Sequence, residues 1–253
     1  MRATSIIINA DDLGLDPEVN DAIFELMGRR VISSATMMAN APALRDATAR
    51  ASRFPYCSFG AHLNLTQFEP LTGGSGAQRL VDGTTGGLSR AIETAVPTPG
   101  LLRAAYEEWC AQIELLASAG IAISHLDSHN HVHTRPQLFP VLKAVQRRYG
   151  IRKVRLAKNL YSTSQPCPAV LFLKKRLYNT ALQRVYRTHT TAVFTELLTF
   201  ADISRAERPP HPTVELMVHP GASYAKGEIQ LLESDWFNGL GADVQLITYA
   251  QLH

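Results

Sequence analysis

The chain has 253 residues, 45% of them hydrophobic, and a formal net charge of +3, which suits one α/β domain with a substantial core. So small a charge, with no basic stripe interleaved with aromatics, argues against a nucleic-acid partner. Three scattered cysteines without a CxxC pair argue against a disulfide framework, and neither a signal peptide nor a membrane-length apolar run is legible, so a cytoplasmic protein is expected.

Ser5-Ile6-Ile7-Ile8 reads as a buried strand running straight into Asn9-Ala10-Asp11-Asp12-Leu13-Gly14. Asp16 as N-cap and Pro17 at the first helical position open a helix through Val19, Ile23, Leu26 and Met27. A second strand-to-helix unit follows, with strand over 31–38 and helix over 42–53. In 58–66, alternation places His62, Asn64 and Thr66 on one face, expected to line a pocket, and Ala61, Leu63 and Leu65 on the other. Residues 71–99 are rich in Gly, Thr and Ser and read as a long loop, expected to form a lid, with a short helix near 88–95. Thr98-Pro99 starts a helix through Leu102, Tyr106, Trp109, Ile113 and Leu116 that ends at Gly120.

The next strand covers 121–127; if the chain stays extended beyond it, His125, Asp127, His129, His131 and His133 share one side. A helix over 134–148, stopped by Gly150, and a strand over 151–156 come next. Residues 159–212 form a variable, poorly legible segment that mixes Pro166-Cys167-Pro168, a basic amphipathic helix around Leu173-Lys174-Lys175-Arg176, and Pro209-Pro210-His211-Pro212. A clear strand returns at Val214 to Val218 with His219 at its end, and 244–249 is the last. This alternation predicts a parallel sheet or barrel with its chemistry at the carboxyl ends of the strands.

Acids and imidazoles therefore gather at strand ends. Taken singly they have plainer explanations: Asp11 and Asp12 could cap the following helix, and His62 could be a hydrogen-bonded core histidine. The run His129-Asn130-His131-Val132-His133 is harder to explain locally, because imidazoles pointing one way repel once protonated unless a metal or acids hold them. Taken together, an Asp and two His around an open position suit a divalent ion that polarises a carbonyl and activates water, with a second carboxylate to take the proton. His219 fits an acid or base supplied by a late strand.

Five stretches, Ile8 to Gly14, Gly60-x-His62 with Leu65-Thr66 and Pro70-Leu71-Thr72, His125 to His133, Glu215 to Pro220 and Leu246 to Tyr249, resemble the YdjC-like carbohydrate deacetylase family over nearly the whole length. The resemblance implies a single domain over 1–253, an α/β fold built as an irregular (β/α) barrel of the polysaccharide-deacetylase type. It implies a metal-dependent hydrolase that removes the acetyl group from an N-acetylated amino sugar, in an oligosaccharide or a glycolipid head group. One divalent ion, Zn or Mg, would be held by Asp12, His62 and His129. Asp11 would be the general base and His219 the general acid or oxyanion partner, with Asp127, His131 and His133 orienting ligands or touching substrate. Leu13 stands where many relatives carry Phe, a change expected at the wall on which a sugar stacks.

A metal-dependent phosphoesterase and a non-catalytic sugar-binding protein are the alternatives. The first lacks an evident phosphate-cradling Gly-rich turn, and the second leaves filled catalytic positions without a use. A homodimer is expected. The basic helix, with Phe172, Leu173, Phe194, Leu197, Leu198 and Phe200, reads as core or dimer interface, or as a docking region for a lipid-linked or membrane-surface glycan.

Overall fold

A computed structural model describes residues 4–206, 211–241 and 244–253; of the prolines noted above, Pro209 and Pro210 lie outside them. The first half of the chain runs β1 (Thr4–Leu13), α1 (Pro17–Gly28), β2 (Ser34–Met37), α2 (Leu44–Ala51), β3 (Ser58–Leu63), α3 (Gly74–Ala77), α4 (Pro99–Ser118) and β4 (Ile123–Ser128). The second half adds α5 (Phe139–Tyr149), α6 (Ala169–Arg184), β5 (Val193–Glu196), α7 (Leu197–Ala206), β6 (Thr213–Val218), α8 (Lys226–Leu232) and β7 (Val244–Leu246).

Every strand pair is parallel, in the order β4-β3-β2-β1-β6-β5, and β7 joins the start of β1. Parallel neighbours need crossover connections, which the helices supply. The sheet curves into a half-barrel whose open side is spanned by an extended stretch around residues 151–160. There the Leu126 N–H donates to the Lys153 carbonyl at 3.0 Å, Arg155 N–H to Leu126 at 3.0 Å, and Asn159 N–H to Phe194 at 3.2 Å. The strand predicted at 151–156 is therefore absent as a ladder, and only two isolated bridges remain, Val154 to Leu126 and Lys153 to His189. A segment that touches two separate sheet edges at single points has no continuous partner along which to form a ladder.

Alternation along β1 sorts the interior into two parts. Ile6, Ile8 and Ala10 pack into the main apolar cluster under the helices, together with Val19, Ile23 and Trp109. Ile7, one residue out of phase, packs with Tyr249 and Leu252 instead, and Asn9 and Asp11 continue its face. The inside of the half-barrel is thus apolar at its floor and polar above. Leu13 is fully buried in the main cluster, so it forms no part of a sugar-facing wall.

Local signals account for most helix ends. The Asp16 carboxylate accepts from the Val19 N–H at 2.8 Å, the Thr98 hydroxyl from Leu101 at 3.2 Å, and Gly150 closes α5 in the left-handed conformation. The helix predicted from 134 starts as α5 only at Phe139, because Pro136 and Pro140 deny the preceding turns their hydrogen bonds and leave a short 3-10 stretch at Pro136–Leu138. Residues 71–99 hold α3 and a 3-10 turn at Arg90–Glu93. They pack on the body: the Glu108 carboxylate accepts from the Leu71 and Thr72 N–H groups at 3.1 and 2.9 Å, and Leu80, Leu88 and Ile92 are buried. Among the described residues no helix is long and apolar enough to cross a membrane.

Candidate metal and catalytic site

Strict alternation would send Asp11 and Asp12 to opposite faces of β1. The register slips between Ala10 and Leu13, and Asp12 takes a left-handed backbone, φ 65°, which Asp tolerates better than most residues. The irregularity lets two consecutive carboxylates serve one pocket. Asp12 Oδ1 lies 3.2 Å from His62 Nε2 on β3 and 2.8 Å from His129 Nδ1 just beyond β4. The ligand atoms of Asp12, His62 and His129 lie within 4.8 Å of one another, so these three could hold a metal ion. The ligand atoms of Asp11, His62 and Asp127 also lie within 4.8 Å of one another.

Below them is a residue that sequence reasoning missed. Arg155 is fully buried; its Nη1 and Nη2 grip the two Asp11 oxygens at 2.6 and 2.7 Å, Nη1 also reaches Asp127 Oδ2 at 2.8 Å, and Nε reaches Glu215 Oε1 at 2.7 Å. The second Glu215 oxygen accepts a short hydrogen bond from the Tyr249 hydroxyl. The available signal was Glu215, a lone charge in the apolar run Val214-Glu215-Leu216-Met217-Val218, since a buried charge needs a partner of opposite sign; Arg155 itself is masked by Arg152, Lys153 and Lys158 around it. Asp127 also lies 2.8 Å from His62 Nδ1, which fixes that ring and turns Nε2 toward Asp12.

The electrostatics follow from this layering. Burial works against ionised Asp11, but Arg155 outweighs it and holds the carboxyl well below its usual range. Asp12 is also held well below that range, burial being overcome by its bonds to His129 and His62. For His62, burial opposes the charged form, yet Asp127 and Asp12 push the ring up to about 10. Burial pushes Glu215 up to about 7 in spite of Arg155. In the mouth, then, an imidazolium proton balances Asp12 where a cation would do so, and metal binding would displace it. The donor set fits a metal on that ground.

The remaining histidines part company. β4 ends at Ser128, and residues 129–134 form a 3-10 stretch with Asn130 and His131 at φ 52° and 54°, so the extended projection of four imidazoles and Asp127 along one side fails. His129 alone of the run reaches the trio. His131 sits edge-on to Phe194 with ring centroids 5.8 Å apart, and burial, more than Arg155, pushes it down to about 3. His133 is fully buried, its Nε2 3.2 Å from the Arg155 carbonyl, and braces that segment. His125 stacks on Tyr249 at 3.6 Å near the floor, where Gly60 leaves it room: a Cβ at 60 would lie 2.5 Å from His125 Cε1. Asn64 does not line the pocket as alternation suggested, because β3 stops at Leu63; its Oδ1 accepts from the Thr66 and Gln67 N–H groups and shapes the exit loop. That loop puts Gln67 Oε1 2.9 Å from His129 Nε2.

His219 follows β6, whose Val218 pairs with Ala10, so it stands next to Asp11 across the strand ends. Its N–H donates to Glu228 at 2.7 Å, and its Nδ1 lies 3.9 Å from the other carboxylate oxygen. Burial opposes a charged ring here, but Glu228, Asp11 and Asp12 together raise its pKa. Tyr224, 74% exposed, sits beside it with ring centroids 5.6 Å apart. Sequence reasoning passed over Tyr224 because nothing local marks it.

The model of the family described as YdjC-like protein matches residues 5–241. A carbohydrate deacetylase of Geobacillus stearothermophilus is 34% identical over 257 aligned positions, covering 98% of this chain and 97% of that protein. One of Vibrio campbellii is 36% identical over 151 positions, 58% of this chain and 57% of its own. A solved protein of Enterococcus faecalis V583, named for cellobiose-phosphate cleavage, shares the fold at a TM-score of 0.79 and 24% identity, covering 98% of both chains. With a family match that spans β1 through β6 and a relative that aligns end to end, the chain belongs to the YdjC-like family.

Proposed function

We propose that this chain is a metal-dependent carbohydrate deacetylase that removes the acetyl group from an N-acetylated amino sugar, in an oligosaccharide or a glycolipid head group. The observation that carries the reading is Asp12 set between His62 and His129, with Asp11 one residue away and gripped by Arg155. The name borne by the Geobacillus and Vibrio relatives, carbohydrate deacetylase, points the same way.

Asp12, His62 and His129 would hold one divalent ion; two imidazoles suit Zn better than Mg, which prefers oxygen donors. The Asp11, His62 and Asp127 trio is the poorer choice, because Arg155 already occupies both of its acids. When bound, the ion supplies positive charge to the developing oxyanion and acidity to the attacking water, so a weakly basic Asp11 suffices as proton acceptor. Arg155 keeps Asp11 ionised and oriented. His219, its pKa raised, carries a proton to the departing nitrogen as the carbon–nitrogen bond breaks. Tyr224 offers a ring face at the mouth on which a sugar can stack.

Acetate release from a panel of N-acetylated amino sugars, before and after chelation, tests the proposal. The Asp11→Asn variant should keep its metal and lose roughly 10²- to 10⁴-fold in rate. Phosphate release from phosphate esters without any acetate release would replace the reading with the phosphoesterase one, and near-normal Asp11→Asn activity would remove Asp11 as the base.

A further inference from the structure

The first half of α6 is used neither by the site nor by the core. Val170, Leu173 and Leu177 are 68%, 55% and 62% exposed, and Leu171 and Phe172 are exposed as well. The second half is the buried part: Tyr178, Asn179 and Leu182 are buried, Tyr178 donates to the His133 carbonyl, and Asn179 bonds both backbone groups of Ala157 at 2.9 Å. In the first half Lys175 donates to the Tyr161 hydroxyl at 2.6 Å and Phe172 sits edge-on to the same ring, on the side away from Val170, Leu173 and Leu177. The core reading of this region holds for Phe194, Leu197 and Phe200, which are buried, and fails for Phe172, Leu173 and Leu198, which are exposed. On a helical wheel Val170, Leu173 and Leu177 form one stripe, with Lys174 and Arg184 on the same face and Arg176 flanking it. From Asn159 to Thr195 the sequence contains Lys174, Lys175, Arg176, Arg184 and Arg187 and no acidic residue.

Connectivity decides which end of the molecule this patch occupies. Val154 runs parallel to β4, and His189 runs parallel to Lys153. The helix between them must return in the opposite direction, so its first residues lie at the carboxyl end of the strands, the end that carries Asp12 and His129.

We propose that the first half of α6 is a docking surface for an anionic lipid bilayer, on which the protein would rest with its site end toward the membrane. An apolar stripe flanked by cations on an exposed helix is the pattern that seats in a charged lipid interface. A second copy of the chain fits less well, because a two-fold contact sets the same patch against itself and would oppose like charges with no acid from 159–195 to offset them. Nucleic acid would use the cations and leave the Val/Leu stripe exposed. The binding readout below does not depend on the reaction proposed above.

Co-sedimentation of the full chain with phosphatidylcholine vesicles, with and without phosphatidylglycerol, tests the proposal. Binding is expected only when phosphatidylglycerol is present, and it should weaken as added salt screens the exposed cations. Lys174→Ala and Arg176→Ala together should weaken it on the order of 30-fold. A second variant, Val170→Ser with Leu173→Ser and Leu177→Ser, should bring a comparable loss while its thermal melt stays that of the parent. No sedimentation at low salt, or binding unchanged in both variants, would overturn the proposal. A concentration-dependent dimer in sedimentation velocity that the serine variant abolishes would also overturn it and assign the patch to a second copy.

Discussion

Arg155 and Asp12 belong to one pocket, yet the charges around them are handled differently. At depth, Asp11, Asp127 and Glu215 surround one guanidinium with nitrogen–oxygen distances of 2.6 to 2.8 Å, and every partner is shut away from solvent. At the mouth, the nearest partners of Asp12 are two imidazoles, which are cations only while protonated. The deep layer is complete as folded. The upper one holds a carboxylate whose countercharge can be exchanged, which is what a metal site requires. Depth separates the parts that keep the geometry from the part that accepts a guest.

That contrast can be broken by substitution. Asp12→Ala should abolish metal uptake and cost acetate release about three orders of magnitude or more, roughly 4 kcal/mol of barrier, while lowering the stability of the metal-free protein less than Arg155→Ala does, since Asp127 still partners His62. Elemental analysis beside a thermal melt measures both, and metal retention in the variant would erase the distinction. Arg155→Ala should act mainly on the fold: it takes the shared cation from three buried carboxylates, and urea denaturation should register a loss of about 3 to 5 kcal/mol. A greater stability loss from Asp12→Ala than from Arg155→Ala would invert the comparison. Gly60→Ala forces a Cβ against His125 and Thr36 near the floor and should cost about 1 to 3 kcal/mol in the same assay.

The smallest expected effect concerns His219. Burial lowers its pKa and Glu228 is the first of the groups that raise it, so Glu228→Gln leaves burial less opposed and the pKa falls. A proton donor is lost above its pKa. The alkaline limb of the rate profile should therefore move to lower pH, by up to about one unit. A limb that stays in place would separate His219 from the proton transfer.

Legibility in the sequence follows the range of the interactions involved. Asp16, Thr98 and Gly150 marked helix ends because capping is decided within four residues. Asp11, Asp12, His62 and His129 were legible because acids and imidazoles at the ends of apolar runs are costly without a common purpose. β5 was not, since four residues carry too little periodicity to show, and the wall at 151–160 read as an ordinary strand because its partners are distant in sequence. The histidine run misled for a similar reason. Its left-handed turn at Asn130 and His131 is tied by the Asn130 amide to Thr66, a contact no local pattern reveals.

The closure of the half-barrel has a kinetic side. The wall that carries Arg155 is fastened to its neighbours by short pairs of hydrogen bonds at Leu126 and His189 rather than by a ladder such as the one joining β1 and β6. Its backbone amides should open to hydrogen exchange well before those of β1, and each opening would withdraw the guanidinium from Asp11. The alignment of the proposed base would then be set by the opening equilibrium of the least regular piece of the barrel, with Asn179 and His133 serving as its latches.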